Sequence, residues 1–318
     1  MLLRSIGLTA AVIASHATAA AAQENLTPLL SPAELAEVRE GMDPLILDIR
    51  AAKSEGEAPS YAVGHVEGSI SAPYSLFRGP AENPGQLPSE QALTETLRGL
   101  GVTPERPTVI VYQGADVSDF GAAARVYWTL KSSGVSELAI LNGGIAAWIE
   151  AGQSLSTEST AAEPSTIQVS FSEEWLATAE DVQAVLSGED EATLIDARPE
   201  SFWAGEEMHG AAARPGTLPQ SEYFVHSSWF GDGPAIVDAA AAQQLAEEAG
   251  YADDAQLISF CNTGHWAATN WFALSELAGL DNVKLYPESM VGWSNAGYEM
   301  ANVPGPLRTI WLQIKNVF

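Results

Sequence analysis

The sequence predicts an α/β protein built from two tandem domains, each a mostly parallel sheet flanked by helices. Three observations carry that expectation. Four blocks of sequence recur in the same order in the two halves of the 318-residue chain. Within each half, short apolar runs alternate with helix-like segments, the pattern of strand–helix–strand units. A polar stretch rich in serine and threonine, GQSLSTESTAAEPST at 152–166, separates the halves and reads as a linker.

The recurrence is specific. PLILDIR at 44–50 matches ATLIDAR at 192–198, with Asp48 and Asp196 148 positions apart. TVIVYQ, ending at Gln113, matches QLISFC, ending at Cys261, at the same offset. AARVYW at 123–128 matches AATNWF at 267–272, now 144 apart, and LNGGIAAW, ending at Trp148, matches YPESMVGW, ending at Trp293, 145 apart. The offset falls by four just after Gln113 and Cys261. The loop there is expected to be four residues shorter in the second copy, with Gln113 in the place that Cys261 takes.

The elements follow in order. Residues 1–22 carry Arg4 as their only formal charge, then a short apolar run and small residues ending in Ala20-Ala21-Ala22. That is the layout of a cleaved secretory signal, and it places the mature protein in the periplasm or outside the cell. The first domain is expected over 26–151 and has no cysteine; the second over 167–300; a tail over 301–318. Ser31-Pro32-Ala33-Glu34 is a capping box with proline at the first helical position, and Thr178-Ala179-Glu180-Asp181 opens the matching helix. Buried strands are expected at 45–47, 109–111 and 139–141, with counterparts at 194–195, 257–258 and 283–285.

Composition narrows the function. The chain is 46% hydrophobic and carries 14 basic against 41 acidic residues, a net charge of −27. Such a surface repels phosphate backbones and anionic lipid, which argues against nucleic-acid and membrane-surface binding. No later segment is long and apolar enough to span a bilayer. One cysteine permits neither an intramolecular disulfide nor a multi-cysteine metal cluster. Besides His265, the histidines of the expected mature chain are His65, His209 and His226; His65 belongs to a turn motif and the others have no partner at helical spacing, so neither a metal nor a cofactor is expected.

Cys261 follows an apolar strand and precedes an apolar helical stretch. Backbone N–H groups in such a loop, and the positive end of the following helix, favour a thiolate. Gly264 allows the loop to curl into an anion-binding nest. The candidate site is therefore Cys261 as the catalytic nucleophile, with Asn262, Thr263, Gly264, His265 and Trp266 as the loop that binds substrate.

The chain resembles the tandem-domain rhodaneses, sulfurtransferases of the thiosulfate or mercaptopyruvate type. The resemblance rests on LDIR, the turn Gly64-His65-Val66-Glu67-Gly68-Ser69, AARVYW and LNGGIAAW in the first copy. In the second it rests on IDAR, a weaker turn at Gly216-Thr217-Leu218-Pro219, and the loop Cys261 to Trp266. It spans roughly 26–300. It implies a nucleophilic cysteine in the second domain alone, a small sulfur-containing anion as donor, a persulfide on Cys261, and an external thiol or cyanide as acceptor. A non-enzymatic persulfide carrier or sulfur-sensing module that delivers sulfur to a partner protein is the alternative. The related phosphatases, which use C-x₅-R, are excluded because Ala267 stands where their arginine would be.

The chain departs from the family in its charges. Neither the loop nor the segment after Asp196-Ala197-Arg198 carries a second cation. Donor charge is then expected to be met by loop amides or by a protonated His265; a solvent-pointing histidine is the other reading. Arg50 and Arg198, repeated in both copies, are expected to form structural ion pairs. Trp266 is read as core packing in preference to a pocket wall.

Overall fold

The computed structural model describes residues 26–51, 60–251 and 255–305. The leader expected at 1–22 and most of the tail lie outside these residues.

Short runs such as LILD, TVIV, LAIL and LISF are apolar along nearly their whole length, which suits strands buried on both faces and therefore parallel sheets. In the first sheet these are β1 (Leu29–Leu30), β2 (Leu45–Asp48), β3 (Ile70–Ser71), β4 (Thr108–Val111) and β5 (Leu138–Leu141), in the order β1-β5-β4-β2-β3. The second sheet holds β6 (Thr193–Asp196), β7 (Glu222–Tyr223), β8 (Leu257–Phe260) and β9 (Val283–Leu285), in the order β7-β6-β8-β9. Every strand pairing is parallel. Helices Pro32–Gly41 and Ala179–Ser187 each start at a complete capping box, Ser31 with Glu34 and Thr178 with Asp181. Residues 152–166 contain no helix and pack along the first domain: Ser156 bridges His65, and Ser165 N–H donates to Arg98 O.

The ladders correct one detail of the repeat. Asp48 pairs with Val111, whereas Asp196 pairs with Phe260. The backbone bonds that follow agree: Ile145 N–H donates to Tyr112 O and Met290 N–H to Cys261 O. The structural counterpart of Cys261 is thus Tyr112, and that of Asn262 is Gln113. Continuous apolar strands have no in–out alternation to set register, so the sequence match slipped by one residue. With the helix blocks matched as before, the second loop is five residues shorter rather than four.

The two sheets share one core. Helix Phe120–Ser132 packs on helix Trp266–Phe272. Phe272 meets Phe120 and Tyr127 edge-on, with ring centroids 5.4 and 5.0 Å apart, and Trp175 meets Trp271 at 6.0 Å. Lys131 and the Tyr127 hydroxyl both bond Glu276, at 2.8 and 2.7 Å. Cys261 belongs to this shared apolar cluster, and the loop that holds it lies against the first domain.

Candidate active site

Cys261 is the first residue after β8 and is 1% exposed. Its own N–H donates to Ser289 Oγ at 3.0 Å, and Ser289 Oγ–H donates to Tyr286 O at 2.8 Å. The carbonyls of the loop are then fixed in sequence. Cys261 O accepts from Met290 N–H at 3.1 Å and Asn262 O from Val291 N–H at 3.0 Å. Thr263 O and Gly264 O both face Arg125 Nη1, at 3.5 and 3.3 Å. A trans peptide holds its N–H antiparallel to its C=O. Four carbonyls tied to surrounding groups therefore turn the N–H groups of Asn262, Thr263, Gly264 and His265 to the opposite side of the loop. Among the described residues none of these four donates to a protein acceptor. Gly264 makes the curl possible: its φ is 68°, and a Cβ there would stand 2.3 Å from Arg125 Nη1 and 2.5 Å from Pro287 O.

The first domain shows the same loop closed. After Tyr112, Ala115 N–H donates to Asp119 Oδ2, while Ser118 N–H and Asp119 N–H donate to Asp116 Oδ1, at 2.7–3.1 Å. Two carboxylates of the chain itself occupy three of that loop's donors, the N–H groups of Ala115, Ser118 and Asp119. The second loop has no acid in it, so its donors remain open to an external anion or to charge on Cys261.

The predicted loop residues take distinct roles. Asn262 Oδ1 accepts from Arg198 Nη1 at 3.2 Å, and Arg198 pairs with Asp196 at 2.6 Å. Arg50 and Asp48 repeat that ion pair at 2.6 Å in the first domain. Arg198 thus pins the loop through Asn262. Thr263 and Gly264 contribute backbone, as described. Trp266 Nε1–H donates to Ser118 Oγ at 2.8 Å, and its ring stacks on His226 at 4.9 Å and meets Phe202 edge-on at 5.9 Å. It ties the loop to the first domain.

His265 is neither a cation nor a solvent-pointing side chain. Its Nε2–H donates to Ser118 O at 2.8 Å, which leaves Nδ1 to accept from the Tyr74 hydroxyl at 3.1 Å. Burial, then the charge of Arg78, pulls its pKa down to about 4. The expectation that a protonated His265 meets donor charge is overturned, because both ring nitrogens are spent on the first domain in a site that already holds two guanidinium groups.

Those guanidinium groups are what sequence reasoning missed. Arg125, fully buried in helix Phe120–Ser132, reaches across to the loop, and its Nη2 donates to Gly85 O at 2.8 Å. Burial, then Arg78, lowers its pKa to about 9, so it stays charged at neutral pH. Arg78 follows the 3₁₀ turn Tyr74–Phe77 and stacks on Tyr74 with its Cζ 5.1 Å from the ring centroid. Arg125 was detectable: it is a charge in the middle of the apolar AARVYW block, where the second copy has Thr269. Arg78 gave no signal, because only the fold brings residue 78 beside residue 265.

Fold and site define a class: a duplicated α/β protein in which one copy keeps the chain's single cysteine in an open amide cradle. Residues 31–151 and 178–296 each match the rhodanese-like domain, and the chain belongs to that family. It is similar to a thiosulfate sulfurtransferase of Pseudomonas aeruginosa, 29% identical over 85% of this chain and 95% of the relative. It is also similar to the sulfur carrier protein TtuD of Thermus thermophilus, 24% identical over 78% and 88%. Among solved structures it shares its fold with SseA from Escherichia coli, described with the 3-mercaptopyruvate sulfotransferases, at a TM-score of 0.70 and 24% identity over 83% and 98% of the two chains. Family and relatives together place the chain in the sulfurtransferase class.

Proposed function

We propose that the protein moves sulfane sulfur from thiosulfate or a mercapto acid to an external thiol or cyanide by way of a persulfide on Cys261. The observation that carries this reading is the cradle: four loop N–H groups stand open beside the chain's single cysteine, whereas in the cysteine-free copy Asp116 and Asp119 take up three of the loop's N–H groups. The Cys261 thiolate attacks the outer sulfur of thiosulfate. The S–S bond breaks, and sulfite leaves with the bonding pair. With a mercapto acid the C–S bond breaks instead, and the carbon takes up a proton as the keto acid leaves. In the second step the acceptor attacks the outer sulfur of the persulfide and the Cys261 thiolate departs. The chain holds no second cysteine, so the acceptor comes from outside. The loop amides stabilise the negative charge on the persulfide in both steps. The sequence of residues 1–22 supports export to the periplasm or beyond. Among the described residues, no helix is long and apolar enough to cross a membrane.

Intact-mass measurement tests the covalent step. Incubation with donor should add one sulfur, about 32 Da, and cyanide should remove it. Cys261→Ser should lose both the mass gain and turnover; turnover retained in that variant refutes the mechanism. The name of the Thermus relative favours a second reading, a carrier that passes the persulfide to a partner protein. A carrier would load at Cys261 but give no multiple turnover with small acceptors.

A further inference from the structure

We propose that Arg78, supplied by the cysteine-free domain, binds the anionic oxygens of the sulfur donor while Cys261 takes its sulfur. This assignment rests on the sulfur-transfer reading above and names the side chain that recognises the donor.

Arg78 is half-buried, yet its Nη1 is shielded from solvent and has no hydrogen-bond partner among the described residues. A buried donor left open is costly unless a ligand completes it. Its charge is equally unmet. In a chain with 41 acidic residues, Arg39, Arg50, Arg106, Lys131 and Arg198 each pair with a carboxylate. Among the described residues Arg78 has none within ion-pair distance.

Its position is at the site. Its guanidinium lies over Tyr74, whose hydroxyl holds His265 of the cysteine loop. Arg125, a second guanidinium without a carboxylate within ion-pair distance among the described residues, grips the same loop on its carbonyl side. Two like charges beside one loop, neither within ion-pair distance of a carboxylate among the described residues, are relieved by an entering anion. Their neighbours register that field: Arg78 depresses the pKa of Arg125, His265 and His209, and both arginines oppose the rise that burial imposes on Tyr74.

Arg125 spends Nη1 and Nη2 on carbonyl oxygens and keeps only Nε without a partner, so Arg78 is the one whose Nη1, at the tip of its fork, is free for a ligand. A guanidinium fork suits the sulfo oxygens of thiosulfate and the carboxylate of a mercapto acid alike. This removes the difficulty posed by the cation-free loop: the missing charge comes from the other domain.

The test uses the full chain with Arg78→Gln and Arg78→Lys, with thiosulfate and 3-mercaptopyruvate as separate donors and cyanide as acceptor. Arg78→Gln should raise KM for an anionic donor by about tenfold or more, with Arg78→Lys between it and wild type. The rate at which cyanide discharges the preformed persulfide should stay within about threefold of wild type, since that step contains no donor anion. A merely structural role would slow loading and discharge together. A rise confined to thiosulfate assigns the sulfo group, and one confined to 3-mercaptopyruvate assigns the carboxylate. Unchanged KM for both donors in a wild type that does gain sulfur overturns the role of Arg78 alone. A wild type that gains sulfur from neither donor overturns the sulfur-transfer reading and this assignment with it.

Discussion

Arg125→Met separates what the buried arginine does for the loop from what it does for the fold. Methionine keeps the length and apolar stem and removes the charge and the bonds to Thr263 O, Gly264 O and Gly85 O. The bond to Gly85 O, at 2.8 Å, is short, while those to the loop are 3.3 and 3.5 Å. At about 1.5 kcal/mol for the short bond and half that for each long one, roughly 3 kcal/mol is lost. Against this stands the burial of the charge. Burial brings the Arg125 pKa down to about 9. Holding that proton at neutral pH costs the folded state about 5 kcal/mol, at some 1.4 kcal/mol for each factor of ten. The relief exceeds the loss by about 2 kcal/mol, so the melting temperature should rise by several degrees rather than fall. Reactivity should behave differently. The N–H groups of Gly264 and His265 lose the bonds that aim them, and one preorganised donor to a developing anion is worth about 3 kcal/mol. Loading of Cys261 should therefore slow by about two orders of magnitude. Thermal melts paired with single-turnover mass spectrometry read both quantities. A folded Arg125→Met protein that loads within about threefold of wild type would refute the argument that the first domain shapes the cradle.

Other perturbations have equally definite outcomes. Gly264→Ala places a methyl group 2.3 Å from Arg125 Nη1 in a backbone with φ 68°; it should cost roughly 2–4 kcal/mol in denaturant unfolding and abolish loading. Ser289→Ala leaves the buried Cys261 N–H without its acceptor; the expected loss is about 1–3 kcal/mol, read from urea midpoints. His265 is held neutral with a pKa of about 4, below its usual value near 6.5. Its unfolded form binds the proton first, so its contribution is present above pH 6.5 and lost as pH falls from there to about 4. Allowing for its partial exposure, wild type should lose about 2 kcal/mol more than His265→Gln between pH 7 and 4.5; equal losses in the two proteins would show a ring already open to water.

Much of this was legible in the sequence. The two capping boxes, the buried apolar strands and the Asp-x-Arg pairs each depend on residues within a few positions of one another, and local chemistry dictates them. Cys261 and Gly264 were identifiable for the same reason: a strand end, a loop and a glycine are consecutive. The register of the repeat was not, because β4 and β8 are apolar on both faces and a one-residue slip changes no pattern. His265 was misread because its two partners, Tyr74 and Ser118, lie 191 and 147 residues away. Arg78 is the extreme case. Nothing around Phe77 and Gly79 distinguishes it from a surface arginine until the fold sets it over Tyr74, whose hydroxyl holds His265.

The shared core has a consequence for how this chain can be divided. Its two domains are separate in topology but not in packing, because one apolar cluster runs unbroken from Leu47 to Trp271. A fragment holding only the cysteine-bearing half would present Trp271 and Phe272 to water and leave the carbonyls of Thr263 and Gly264 without their guanidinium. It would lose solubility and reactivity together. The cysteine-free half is the frame in which the other half keeps its shape, and the smallest unit that keeps both the core and the loop intact is the pair.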